Sequence, residues 1–258
     1  MRLEHKVAIV TGGGTGIGKA VALNLARNGV RVGIASRIPK QIEAAMNDFE
    51  RLGLSAFGVP MNLRKKEEIQ RAVAEVANRW GAVHILVNNA GISGVTRIDD
   101  PVDGKWFDIL DTNLSGMYLV TKEVLRHIKD HCGGRIVNIS SVLGKFGVAG
   151  YAAYCTTKHG TIGFTRALAL ELVDRGITVN AVCPGWVDTE MAHQGIDESA
   201  ANLGVTPQQF YEQAIAAVPI KRFLRPDEIA ELVCYLASDL AKGITGQAIN
   251  ICGGQTML

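Results

Sequence analysis

The sequence predicts one α/β domain built on a doubly wound parallel sheet with helices on both faces. Short apolar runs bounded by glycine or turn residues alternate with longer segments of period near 3.6. Most of these runs are apolar on both alternating faces, as strands are when helices cover a sheet from either side. The 258 residues, 47% of them hydrophobic, suffice for one large domain, and no compositional break marks a second. The expected domain spans 1–258.

The elements follow in order. Strands are expected at 7–10, 30–35, 56–60, 85–87, 135–139, 177–182 and 247–251. Between them, helices are expected at 20–28, 42–52, 69–80, 106–128, 153–173 and 228–236. A parallel return to the same sheet needs a helix's length, which is what separates the runs. The segment 189–219 breaks the rhythm and reads as an insertion with a helix, in which Thr206 caps and Pro207 takes the first helical position. Insertions that follow a strand's C-terminal end commonly bind substrate, so specificity is assigned there.

Composition excludes several classes. A formal net charge of +2 is too mild for a phosphate-binding surface, so no nucleic acid partner is expected. No stretch of apolar residues is long enough to cross a membrane, and the N-terminus lacks the apolar region of a signal peptide. The five cysteines are odd in number and widely spaced, without a C-x-x-C pair, which fits reduced thiols in the cytoplasm. His127 and His131 stand four apart but lack the intervening glutamate of a zinc helix, so they read as a helix surface and no metal is expected.

After the first strand comes Thr11-Gly12-Gly13-Gly14-Thr15-Gly16-Ile17-Gly18. Positions without side chains let the backbone turn tightly and approach a pyrophosphate at the N-terminus of the next helix. The second strand ends in Ala35-Ser36-Arg37, where an acid would grip the ribose hydroxyls of an unphosphorylated dinucleotide. A hydroxyl followed by arginine suits a 2′-phosphate instead, so NADP(H) is preferred and NAD(H) is the second choice.

Tyr154 and Lys158 are four apart at the start of a helix, which places both on one face. A nearby ammonium that stabilises phenolate is expected to lower the tyrosine pKa and make it a usable acid/base. Thirteen residues earlier, Ser140-Ser141 close a strand, and a serine there is placed to hold a substrate oxygen while Tyr154 exchanges its proton. Ser141 is preferred of the two.

These motifs, with NNAG at 88–91, Asn113, YCTTK at 154–158 and PGWVDT at 184–189, resemble the short-chain dehydrogenase/reductase family in order and spacing over almost the whole chain. The resemblance implies a Rossmann-type fold and hydride transfer between a nicotinamide cofactor and a carbonyl or alcohol. It implies Tyr154 as acid/base, Ser141 as oxyanion partner, Lys158 as ribose ligand and pKa modifier, and Asn113 as holder of a proton-relay water. The implied cofactor site comprises Gly12, Thr15, Gly16, Ile17 and Gly18 at the phosphates and Ser36 and Arg37 at the 2′-phosphate. Asn62 and Leu63 lie beside the adenine, and Asn89, Ala90, Gly91, Tyr154 and Lys158 at the ribose. Pro184, Gly185, Val187 and Thr189 complete it at the nicotinamide, whose pro-S face is expected to meet substrate. Asn62 departs from the family, where many members carry aspartate; an amide still pairs with the adenine amino group. Asn88 and Asn89 are expected mainly to tie the fourth strand to its neighbours.

Within the family, KHGTIGFTRALALEL at 158–172, GITVNAVCPG at 176–185 and VPIKRF at 218–223 are most similar to β-ketoacyl reductases and aromatic polyketide ketoreductases. That similarity implies a β-ketoacyl or cyclic ketone as substrate, free or as an acyl thioester, and an acyl-carrier protein as a partner. Arg37, Arg64, Lys65, Lys66 and Arg97 are candidates for a basic rim facing such a carrier, against the plainer reading of scattered solvated charges. Family members are usually homotetramers, and Ile162, Phe164, Leu168 and Leu172 either face another subunit or their own sheet. Two other functions stay open: an NAD-dependent secondary-alcohol or hydroxyacyl dehydrogenase, and a nucleotide sensor that does not turn over. The joint presence of Asn113, Ser141, Tyr154 and Lys158 argues against the sensor.

Overall fold

The computed structural model describes residues 3–258. Its strands are β1 (Val7–Thr11), β2 (Arg31–Ser36), β3 (Ala56–Pro60), β4 (Ile85–Asn88), β5 (Arg135–Ile139), β6 (Thr178–Pro184) and β7 (Ala248–Ile251). They form one 7-stranded sheet in the order β3-β2-β1-β4-β5-β6-β7. Every neighbouring pair is parallel.

The period-2 alternation of β1 shows how the layers form. Ala8 and Val10 pack beneath α1 (Gly16–Arg27), α2 (Pro39–Arg51) and α9 (Pro226–Ala237), against Val21, Leu25, Phe49 and Ile229. Val7 and Ile9 point the other way, into a core with α3 (Lys66–Trp80), α5 (Gly116–Val124) and α6 (Ala152–Leu172). Burial on both faces is the driving term, at about 25 cal/mol per Å² of apolar surface removed from water. The strand order reverses between β1 and β4, and at such a switch point the loops beyond the strand ends part to leave a crevice.

Three expectations need correction. The segment 106–128 is not one helix: α4 (Gly104–Leu110) passes into a π-turn at Asp111–Ser115 and then α5. The N–H of Gly116 bonds the carbonyl of Asp111, five residues back, so one extra residue is absorbed without breaking the rod. Because α5 ends at Val124, His127 and His131 lie in turns, and His131 has φ 56, so they share no helix face.

The insertion holds two helices, α7 (Glu190–Leu203) and α8 (Pro207–Ala217). Thr189 caps α7 by accepting from the N–H of Ala192 at 3.3 Å. Thr206 caps α8 in a reciprocal box with Gln209. Gly204, with φ 68, ends α7, whereas Gly195 lies inside it. On α6, Ile162, Leu168 and Leu172 are buried within their own chain, and Phe164 packs against the same core.

Candidate active site

A cleft of about 780 Å³ opens at the C-terminal ends of the strands. Its floor is the loop after β1, held by β4: the Thr11 hydroxyl accepts from the N–H groups of Asn89 and Ala90, both at 3.0 Å. Asn89 Nδ2 donates back to the carbonyls of Thr11 and Gly12 at 3.0 and 3.3 Å. Gly12 takes φ +63, where an L side chain is strained, and a Cβ there would press on Asn89. Thr15, Gly16 and Ile17 line the cleft as α1 begins, but Gly18 does not: it packs under the Gly12 carbonyl, which a Cβ would overlap. Asn88 turns inward, its Nδ2 donating to Thr121 Oγ1 at 2.9 Å and to Asn138 Oδ1 at 2.8 Å, so it ties β4 to β5 and α5.

At one end of the cleft, Ser36, Arg37, Asn62 and Leu63 come together. Ser36 is buried at the end of β2 and Arg37 is exposed beside it. Asn62 Oδ1 accepts from the N–H of Arg64 at 3.0 Å, which fixes the amide in a tight turn. Gln41 also lines this end, and nothing in the sequence pattern marked it.

At the other end lie Ser141, Tyr154 and Lys158, with Gly91, Pro184, Gly185, Val187 and Thr189 on the adjoining walls. The two serines have different duties: Ser140 Oγ donates to the Lys158 carbonyl at 2.9 Å, while Ser141 stays on the cleft wall, accepting from the N–H of Leu143 at 3.1 Å. Lys158 is buried, donates to the carbonyl of Ile139 at 2.8 Å, and lies 5.3 Å from the centroid of the Tyr154 ring. Burial lowers its pKa to about 8. Tyr154 moves opposite to the sequence expectation. Burial raises it to about 12, and the hydrogen bond from Ser141 offsets only part of that rise. Desolvation of the phenolate outweighs the Ser141 hydrogen bond here.

Asn113 does not reach the main cleft. It sits in the π-turn and clasps Ile92, accepting from its N–H and donating to its carbonyl, both at 2.8 Å. Together with Lys158 it lines a separate chamber of about 10 Å³, the size of one water.

The insertion and the segments on either side of it form an aromatic wall that hydropathy does not reveal. Trp186 stacks on Phe223 at 5.2 Å between centroids and meets Phe210 edge-on at 6.3 Å. Trp186 and Phe210 line the cleft, as does Tyr151, whose hydroxyl bonds Ser199 Oγ at 2.8 Å and the Gly195 carbonyl at 3.3 Å. Tyr151 thereby ties the start of α6 to α7. Its place three residues before Tyr154, one helical turn away, is the only signal the sequence offered.

The family model for short chain dehydrogenase matches residues 6–199. A protein of Streptomyces coelicolor assigned as a ketoacyl reductase is 41% identical, the match covering 97% of each chain. The 3-oxoacyl-acyl-carrier-protein reductase of Staphylococcus epidermidis is 37% identical over 98% of this chain and 100% of its own. Among solved structures, actinorhodin polyketide ketoreductase with NADPH superposes with a TM-score of 0.91 at 42% identity, covering 97% of each chain. The chain belongs to the short-chain dehydrogenase family, and is therefore an oxidoreductase on a Rossmann-type sheet.

Proposed function

We propose that this protein reduces a ketone to a secondary alcohol at the expense of NADPH. One observation carries the reading: Tyr154, Ser141 and Lys158 meet on the wall of a cleft whose other end is a glycine-rich phosphate cradle with an arginine and no acid at the tip of β2. The cradle fits a dinucleotide because the Gly12 backbone lies bare against Asn89, and Arg37 beside Ser36 supplies the charge that fits a 2′-phosphate. When bound, the cofactor supplies the hydride. Gly12, Thr15, Gly16 and Ile17 hold its phosphates; Asn62 and Leu63 flank the adenine. Asn89, Ala90, Gly91 and Lys158 take the ribose, and Pro184, Gly185, Val187 and Thr189 the nicotinamide end. Gly18 serves by letting α1 close on the loop.

The protein's own groups manage the proton. Ser141 donates to the substrate oxygen, and Tyr154, protonated at neutral pH because its pKa is about 12, gives that oxygen its proton as negative charge develops. Arg37 in place of an acid at the tip of β2 favours NADP(H), and with it the reductase, over the NAD-linked dehydrogenase reading. Lys158 and the water-sized chamber beside Asn113 provide the path for reprotonation.

The aromatic wall of Trp186 and Phe210 favours a cyclic or polyketide-type ketone, with α7 and α8, in 189–219, as the substrate-binding insertion. A β-ketoacyl chain on a carrier protein is the second substrate form, supported by the likeness to the Staphylococcus epidermidis reductase. Comparing kcat/KM for bicyclic ketones and for carrier-linked acetoacetyl thioester separates them: a Trp186→Ala loss of about tenfold confined to the cyclic ketones supports the first. An equal loss on both contradicts it. Five free thiols, four of them buried, suit a reducing cytoplasm. Exposed Phe107, Tyr118 and Leu170 suit assembly into a homotetramer, which light scattering checks.

A further inference from the structure

We infer that Gln41, rather than Ser36, is the neutral donor that recognises the 2′-phosphate beside Arg37, and so helps set the preference for NADP(H) over NAD(H). This rests on the reading of the cleft as an NADP(H) site. Gln41 arrives there because Gly14 has no side chain: a Cβ at Gly14 would press on Gln41 Cβ at 2.9 Å and on its carbonyl at 3.0 Å. The first turn of α2 therefore rests directly on the phosphate loop, and the Gln41 side chain forms part of the cleft wall with Ser36 and Arg37.

The hydrogen bonds have a direction. The N–H of Ile38 donates to Ser36 Oγ at 3.3 Å, and Ser36 Oγ donates to Gln41 Oε1 at 3.1 Å. The one proton of the Ser36 hydroxyl is thus committed to Gln41, and what Ser36 has left to offer is lone pairs, which repel a phosphate. Gln41 Oε1 accepts, which leaves both protons of Nε2 without a partner among the described residues. A relay from Ile38 through Ser36 to Gln41 polarises that amide and holds its donor edge in place. Ser36 is then a positioning residue. Arg37 supplies the charge, and Gln41 a second, directional bond that a bare ribose hydroxyl rewards far less.

Calorimetric titration tests this with NADP⁺ and NAD⁺, and with adenosine 2′,5′-bisphosphate and 5′-AMP as cofactor fragments, on wild type, Gln41→Leu, Ser36→Ala and the double variant. Gln41→Leu is expected to weaken both 2′-phosphorylated ligands about tenfold, the worth of one hydrogen bond to a charged group, with NAD⁺ and 5′-AMP within about twofold. Ser36→Ala is expected to cost about threefold, and the double variant no more than Gln41→Leu alone, since both act through one bond. Gln41→Glu keeps the acceptor for Ser36 but turns a carboxylate on the phosphate, and its loss is expected to exceed that of Gln41→Leu. An unchanged NADP⁺/NAD⁺ ratio in Gln41→Leu, or multiplicative losses in the double variant, overturns the assignment while leaving the NADP(H) reading intact. A wild type that binds the 2′-phosphorylated and plain ligands equally overturns both.

Discussion

Tyr154 and Lys158 show where sequence reasoning at the residue scale succeeds and where it stops. Their four-residue spacing brought them together, with the ammonium 5.3 Å from the ring centroid. The direction of the tyrosine shift was not legible, because it depends on how deeply the pair is buried, and burial raises Tyr154 while lowering Lys158. Tyr154→Phe is expected to reduce kcat by at least about a thousandfold with cofactor affinity within about twofold, measured by turnover and calorimetry. Lys158 gives a stability test. Its pKa falls from 10.5 to about 8 on folding, so the folded state carries a cost below about pH 8 that is relieved as pH rises toward the unfolded value. Lys158→Met removes that cost. Its advantage over wild type in urea unfolding is expected to be about 2 kcal/mol larger at about pH 7 than at about pH 9.5. A difference independent of pH would mean that Lys158 is not desolvated. Gly18, expected at the phosphates from its place in the motif, instead packs against the Gly12 carbonyl, a constraint that only the folded turn reveals.

Among the elements, those with strong periodicity were readable to within a few residues, β3 and β5 at both ends. The passage from α4 to α5 was not, since a π-turn keeps the apolar stripe running while inserting one residue, and hydropathy does not count that residue. That same turn aims Asn113 at Ile92. The helix α7 escaped notice because Gly195 and Gly204 look alike in sequence, although one lies within the helix and the other ends it. Tyr151 tethers α7 to α6 through Ser199 and Gly195. Tyr151→Phe is expected to cost about 1–2 kcal/mol and to raise hydrogen exchange across α7 while that of β4 and β5 is unchanged. Thr206→Ala removes the side-chain half of the capping box from α8 and keeps the bond from the backbone N–H to Gln209 Oε1, with an expected loss of about 1 kcal/mol in thermal or urea unfolding.

For the whole molecule, alternation of strand and helix sufficed to predict the parallel sheet, because right-handed crossovers leave few other arrangements. Surface chemistry was far less legible. Of the residues considered for a basic rim, Arg64 pairs with Asp108 at 2.6 Å, Lys65 with Glu68 at 3.1 Å and Arg97 with Asp99 at 2.8 Å. Asp108, brought close by folding, and Glu68 and Asp99, close in sequence, therefore neutralise much of that patch. The residues of α6 considered for a subunit interface went to the chain's own core, while Leu170, 79% exposed, points outward. Sequence patterns specify what a core needs more tightly than what a surface meets.

The most direct test is NAD(P)H consumption at 340 nm with cyclic and β-keto substrates, run with NADPH and NADH separately on wild type and Tyr154→Phe. Turnover with NADPH at least about tenfold faster than with NADH, and lost in the tyrosine variant, is the predicted result. Turnover that persists in Tyr154→Phe, or tight dinucleotide binding with no turnover of any ketone, would contradict the account and favour a protein that senses the cofactor without using it.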